Sequence, residues 1–233
     1  KNALVLDIGS NDGTCLSVFK QQGFRVLGID PAELPASIAN KKNIPTVNDF
    51  FNSKTANKLI QDYGFVDLVT SQNVLAHVEN LRETFESIYK ILKPNGYFVF
   101  EVGYFHEVLK SKCFDTIYHE HYSYFSATSI RNLLDRYQLG IFKIELVPTH
   151  GGSIRVYAKN NAITSDFEDH ITPIVNLEAK ATNLKDLLEF QKSVNVLERK
   201  IKEFFLTQKS AGNIVAGLGA AAKGNTLINF LRL

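Results

Sequence analysis

The chain lacks methionine and tryptophan altogether and carries only two cysteines in 233 residues. Cys15 and Cys113 stand far apart, in neither a CxxC pair nor a disulfide-dense pattern. That excludes a disulfide framework and a cysteine-built zinc site, and it points to a reduced, cytoplasmic setting with no metal of the chain's own. No apolar run reaches the ~18 residues that a membrane helix needs, and no basic-then-apolar leader opens the chain. Charge of one sign is missing too: 26 Lys and Arg face 24 Asp and Glu without a basic cluster, which argues against nucleic acid and against an anionic membrane as partners. Small molecules are the expected ligands.

What is present is a core. Hydrophobic residues make up 45% of the chain, with 17 Phe and 9 Tyr, enough for one large domain or one and a half. Four short apolar runs recur with helical stretches between them: Leu4 to Ile8, Val26 to Ile29, Val66 to Thr70 and Tyr97 to Val102, with Ile44 to Val47 as a weaker fifth. Continuous rather than alternating runs suit strands buried on both faces, so the pattern predicts a parallel sheet covered by helices. Asn80 with Glu83 predicts a helix N-terminus, followed by an apolar stripe of Phe85, Ile88 and Leu92 and a stop at Lys93-Pro94-Asn95-Gly96. Ser126 caps a second helix, with Ile130, Leu133, Leu134 and Tyr137 at helical spacing. Ile141 to Val147 and Ile154 to Ala158 then lie close enough to form an antiparallel pair.

From Asp166 to about Ser210 the chain turns into charged helical segments, a connector or lid. Gly212 to Gly219 reads as a new strand running into a glycine-rich loop. The expected organisation is a core over residues 1–160, a helical connector over 161–211 and the start of a second α/β unit over 212–233. Lys1 stands directly ahead of Ala3-Leu4-Val5-Leu6, already a buried-strand pattern, and Asn225 to Leu233 reads as a helix whose packing partners lie further on. The chain is therefore read as a fragment.

Ligands of open parallel sheets bind outside the carboxyl ends of the strands. That directs attention to Asp7-Ile8-Gly9-Ser10-Asn11-Asp12-Gly13, a D-x-G-x-x-x-G turn and not the G-x-G-x-x-G of a pyrophosphate cradle. Asp7 and Asp12 would repel phosphate but could hold the amino group and sulfonium of S-adenosylmethionine. Asp30, closing the second strand, can accept from both hydroxyls of a ribose. Asn48-Asp49-Phe50-Phe51 offers a carboxylate and a stacking ring for adenine, or simply a solvated turn beside a core phenylalanine.

Leu4 to Gly13, Asp30, Asp49-Phe50, Asn73-Val74-Leu75-Ala76-His77 and Lys93 to Gly96 together resemble the class I methyltransferase superfamily, in order and spacing. The resemblance implies an α/β, Rossmann-like sheet of seven strands with one reversed, and places Asn73 near the cofactor.

The segment Phe114 to Ser126 contains Tyr118-His119-Glu120-His121. It can be a polar surface loop, a weak metal site built on His119, Glu120 and His121, or part of a reaction centre. With Thr149-His150-Gly151-Gly152-Ser153-Ile154-Arg155 and Gly217-Leu218-Gly219-Ala220-Ala221-Ala222-Lys223-Gly224-Asn225-Thr226, it resembles the C-3'-methyltransferases of nucleotide-linked deoxysugars over nearly the whole chain. That resemblance implies a dTDP-linked 4-keto sugar as acceptor, His121 as base, Tyr118 and Glu120 as positioning groups and His77 close to the substrate. It also implies an N-terminal zinc-binding domain, which this chain lacks.

The chemistry makes sense independently. Carbon becomes nucleophilic once a proton beside a carbonyl is removed, and a neutral imidazole with an ordinary pKa near ~6.5 suits that task. For Tyr118, Glu120 and His121 to line one pocket, the segment must be irregular, with His119 turned into structural hydrogen bonds. His150, Gly152 and Arg155 are candidates for the acceptor, although Arg155 can equally pair on the surface. The late glycine loop can bind a dinucleotide, pack helix on strand, or hold a sugar-nucleotide diphosphate with Lys223 and Asn225. A methyltransferase acting on oxygen or nitrogen, or a non-catalytic sugar-nucleotide binding module, stays open as an alternative.

Overall fold

The computed structural model describes residues 2–160, 168–181, 183–219 and 221–232. Its centre is a sheet of seven strands: β1 (Leu4–Ile8), β2 (Arg25–Ile29), β3 (Thr46–Val47), β4 (Val66–Gln72), β5 (Leu92–Gly103), β6 (Leu139–Val147) and β7 (Ser153–Asn160). They lie in the order β3-β2-β1-β4-β5-β7-β6. All pairings from β3 through β5 are parallel, and β7 runs antiparallel to both β5 and β6. The reversed strand enters through a short connection from β6, as an antiparallel neighbour can, whereas each parallel step needs a helical crossover.

Helices α1 (Thr14–Gln21), α2 (Glu33–Lys41), α3 (Ser53–Tyr63) and α4 (Leu81–Ile91) supply those crossovers. The α4 start is the expected one, with the Asn80 side chain accepting from the Glu83 amide at 3.2 Å. Leu92 falls just beyond its end and opens β5 instead. Phe85 and Ile88 of α4 pack with Leu4, Leu6, Phe98 and Phe100 in the larger core, while Val5, Leu16, Val26, Ala39 and Ile44 fill a smaller one under α1 and α2. Each such large apolar side chain contributes about 1.5–3 kcal/mol when fully buried. Ile44 stays buried, but the weak strand around it shortens to two residues.

Beyond β5 come α5 (Phe105–Ser111) and α6 (Ala127–Asp135), the latter capped by Ser126, whose hydroxyl accepts from the Ser129 amide at 3.1 Å. The connector forms α7 (Glu168–Ala181) and α8 (Leu184–Ser210); its expected opening at Asp166 lies outside the described residues. α7 is built into the body. Its Ile171 belongs to the main core and its buried Glu178 accepts from the backbone of Ala127 and Thr128 at the start of α6.

The strand expected over Gly212 to Gly219 does not form. Residues 213–219 are irregular, and Ile214 and Leu218 are fully exposed. A strand needs a neighbour for its N–H and C=O groups, and among the described residues none lies alongside. The chain then enters α9 (Ala222–Leu231). This last helix finds a packing partner within the chain, as the Phe230 ring lies 4.8 Å from that of Phe114. Among the described residues no helix is long and apolar enough to cross a membrane.

Candidate active site

Two sets of loops leave the carboxyl edge of the sheet. The first follows β1, β2 and β3. Gly9 has φ +71°, and the amides of Gly9 and Ser10 donate back to the Ile29 carbonyl, folding the turn over β2. A Cβ on Gly9 would stand 2.3 Å from Val74 Cγ2, so glycine is required there by conformation and by space. Gly13 ends the turn as the residue before α1. Asp30 is buried at the end of β2; one carboxylate oxygen accepts from the Asn11 amide at 2.8 Å and the other from the Ala32 amide at 2.9 Å. Each oxygen keeps a lone pair for a further donor. Asp49 accepts from the amide of Phe50 at 2.8 Å, and Phe50 itself is 69% exposed beside it, an open ring surface at the end of β3.

Asp7 and Asp12 part company. Asp7 is buried beneath the turn and accepts from the Thr70 hydroxyl at 2.6 Å; burial pushes its pKa up to about 6, the Thr70 bond opposing and nearby Asp30 adding to the rise. Asp12 faces solvent. Hydrogen bonds from Lys42, at 2.7 Å, and Thr14, at 2.6 Å, hold its carboxyl down at about 2. The expectation that Asp12 reaches into the ligand site is therefore corrected: its carboxylate is committed to the start of α1 and to α2.

The second set follows β4, β5 and β6 and, with Lys223 of α9, encloses a cavity of about 260 Å³ whose wall includes Asn73, His77, Tyr118, His121 and His150. The Tyr118 to His121 segment is irregular, tied down where the Tyr122 amide donates to the Ala76 carbonyl at 2.9 Å. His121 Nδ1 lies 2.8 Å from the Thr116 carbonyl and His77 Nδ1 lies 3.0 Å from the Glu120 carbonyl. A carbonyl only accepts, so each Nδ1 carries a proton, and in a neutral ring that leaves the Nε2 lone pair free. The two rings are 4.8 Å apart. Desolvation lowers the His121 pKa, with His77 and Lys223 pushing the same way against the Thr116 bond and Glu120, so the ring is neutral near pH 7. Tyr118 lies 4.5 Å from the His121 ring, and burial, with Glu120 nearby, raises its phenol, which stays a donor.

Other expected residues fall elsewhere. Glu120 contributes its backbone carbonyl to His77, but its carboxylate is half exposed and 4.0 Å from His119 Nε2, which is itself 85% exposed. Glu120 is thus corrected out of the cavity wall, and His119 points to solvent and not into structural hydrogen bonds. With Tyr118 and His121 both turned inward, the irregular segment leaves the two residues between them facing outward. Asn225 faces away on α9, where both its carbonyl and its side-chain oxygen accept from Asn229. Arg155 is not in the wall either; on β7 it stands opposite Glu101 of β5 and donates to it through Nε at 3.2 Å and Nη2 at 2.8 Å. His150 and Gly152 do border the cavity, and Gly152, at φ +121°, packs so closely that a Cβ would stand 2.7 Å from Glu107 Cβ. Among the described residues no group of three or more His, Cys, Asp or Glu gathers for a metal.

With this geometry in view, comparison with known proteins is decisive. A methyltransferase domain model matches residues 1–143, and a C-methyltransferase C-terminal domain model matches residues 148–233. The chain belongs to the S-adenosylmethionine-dependent methyltransferases. This methyltransferase is 32% identical over 228 residues to the C-methyltransferase NovU of Streptomyces niveus, covering 97% of the chain and 54% of that relative. It spans about half the length of that protein. A ubiquinone biosynthesis O-methyltransferase of Pseudomonas aeruginosa is 30% identical over 94 residues, 40% of each chain. Among solved structures, a SAM-dependent methyltransferase from Archaeoglobus fulgidus aligns with TM-score 0.53 and 16% identity over 68% of this chain and 86% of its own. A Burkholderia thailandensis 1,6-didemethyltoxoflavin-N1-methyltransferase aligns with TM-score 0.51 and 19% identity over 69% of this chain and 72% of its own. These establish the class I fold.

The sequence missed three features of the methyltransferase site. Thr116 acts through its carbonyl, for which no residue type gives a signal. Phe105 and Val108 of α5 line the cavity and read in sequence as ordinary core. Glu101 could have been found, as a carboxylate inside the apolar run Tyr97-Phe98-Val99-Phe100-Glu101-Val102 needs a buried partner.

Proposed function

We propose that this methyltransferase methylates carbon, at C-3' of a dTDP-linked 4-keto deoxysugar, with His121 as the base. The observation that carries the reading is His121 Nδ1 at 2.8 Å from the Thr116 carbonyl: an Nδ1–H donated there leaves Nε2 of the neutral ring free, and burial lowers the ring's pKa in the same sense. The match to a C-methyltransferase over 97% of the chain supports carbon as the target, while the O-methyltransferase match stops at 94 residues.

The first set of loops fits S-adenosylmethionine. The close turn at Gly9 and Gly13, the spare lone pairs of Asp30 and the exposed Asp49-Phe50 pair would hold amino acid, ribose and adenine in turn. Asn73 borders both ligands. When bound, the cofactor supplies an electrophilic methyl group and leaves as a neutral thioether.

The chain's residues do the rest. His121 Nε2 takes the C-3 proton, and the electron pair moves toward the C-4 oxygen as an enolate, which leaves C-3 nucleophilic. Tyr118, held as a neutral phenol, and His77 are placed to hydrogen-bond the enolate, while His150, Gly152 and Lys223 border the acceptor, Lys223 facing its phosphates. Arg155 serves the site through Glu101.

The test is turnover with several dTDP-4-keto sugars, locating the new methyl by mass spectrometry and NMR. A methyl on C-3 supports the reading; a methyl on oxygen or nitrogen replaces it with the heteroatom alternative, and cofactor binding without product would leave a binding module.

A further inference from the structure

His121 is fixed by a carbonyl, and that carbonyl belongs to an element too small to hold itself. Thr116 ends the short 3-10 turn Phe114–Thr116, closed by the Thr116 amide on the Cys113 carbonyl at 3.2 Å and the Ile117 amide on the Phe114 carbonyl at 2.9 Å. The Thr116 hydroxyl adds a bond to the Cys113 carbonyl at 2.8 Å. These bonds run only between neighbours in the chain, and a 3-10 turn this short has poor hydrogen-bond geometry, so they do not fix how it sits on the body. Packing must do that.

A ring from the far end of the chain packs there. Phe230 of α9 stands 4.8 Å from the Phe114 ring, tilted at 54°. α9 does not owe its place to the segment before it: residues 213–219 are irregular, and a Cβ added at Gly212, Gly217 or Gly219 would meet nothing within 4 Å. Its anchor is the connector, where Leu231, 1% exposed, shares a groove with Phe205 and Leu206 of α8. One helix thus reaches the reaction site twice, through Phe230 on Phe114 and through Lys223 in the cavity wall that also holds Thr116 and His121.

We infer that Phe230 is a positioning residue: by backing Phe114 it holds the Thr116 carbonyl on His121 Nδ1 and so keeps Nε2 of the base free. This rests on the reading of His121 above. The connector then becomes part of the reaction site, because α8 seats α9 and α9 seats the turn. Phe230 is itself 40% exposed, so its truncation takes little from the core.

The experiment is long-range proton–nitrogen NMR of the imidazoles in the whole chain, labelled at histidine and held at a pH where the rings are neutral; the His121 signals are assigned by their loss in His121→Ala. The unmutated chain is expected to show His121 in the Nδ1–H form. Phe230→Ala is expected to raise the share of the Nε2–H form about 2- to 10-fold, as the loss of one hydrogen bond does. Phe230→Leu, which keeps an apolar contact on Phe114, is expected to restore the Nδ1–H form. Should Phe230→Ala fail to fold, Phe114→Ala removes the same contact from the other side and is read in its place with the same expectation. His77, held by the Glu120 carbonyl, is the internal control and is expected to keep its form. An unchanged His121 in Phe230→Ala overturns the inference, as does an equal change at His77, which would mean a general loosening of the loops. His121 in the Nε2–H form in the unmutated chain overturns the reading of the base, and the inference with it.

Discussion

The loops after β1 to β3 and those after β4, β5 and β6 solve opposite problems with the same backbone. At the first edge, amide N–H groups of Asn11, Ala32 and Phe50 aim carboxylates toward an open surface. At the second, the carbonyls of Thr116 and Glu120 hold imidazoles inside a cavity. An amide donor directs an acceptor; a carbonyl fixes which ring nitrogen stays free. One edge is thereby suited to gripping a ligand by its hydroxyls and ring, the other to taking a proton from one.

The sharpest break in that comparison is His121→Ala. Removing a general base costs about 10²- to 10⁴-fold in rate, and S-adenosylhomocysteine affinity by calorimetry is expected to hold, because the two edges use different residues. The same ring sets the pH response. Burial holds its pKa below the usual imidazole value, so the acid limb of kcat/KM should fall below about pH 6.5. Next comes Gly9→Ala. A positive φ and a Cβ only 2.3 Å from Val74 together are expected to cost about 2–4 kcal/mol in denaturant unfolding, and Val74→Ala in the same chain should recover part of it.

Asp7→Asn sharpens the first edge from within. Its folded pKa of about 6 lies above the ordinary aspartate value of 3.8, so its contribution to stability is complete below the unfolded value and is lost as pH rises through about 6. Above that pH the buried charge costs roughly 3 kcal/mol, from ~1.4 kcal/mol per unit. Unfolding at pH 8 should therefore show Asp7→Asn to be the more stable chain, with the gap closing by pH 4, while its cofactor affinity falls. The smallest effect belongs to Glu120→Gln, expected to change turnover within about twofold, since its carboxylate stands outside the cavity and its carbonyl is retained. A large loss there would return Glu120 to the site.

The same contrast explains what could be read in advance. The sheet was legible because buried parallel strands write themselves as apolar runs, and the strand-end positions of Asp30, Asp49 and Phe50 followed from those runs. Tyr118 and His121 were legible as types but not as a geometry: which member of Tyr118-His119-Glu120-His121 faces inward depends on the backbone carbonyls of Ala76 and Thr116, which any residue type could supply. Asp12 and Arg155 misled because a charged side chain suggests a ligand until its partner is seen, here Lys42 and Glu101. Ile214 to Leu218 misled differently, as an apolar run has strand character only where another strand receives it.

The most direct test of the account is exchange of the C-3 proton of a dTDP-4-keto sugar in deuterium oxide, followed by NMR without a methyl donor. The account expects deuterium to enter C-3 with the unmutated protein and to enter at least about 10²-fold more slowly with His121→Ala. Exchange at C-3 as fast in His121→Ala as in the unmutated protein would contradict it.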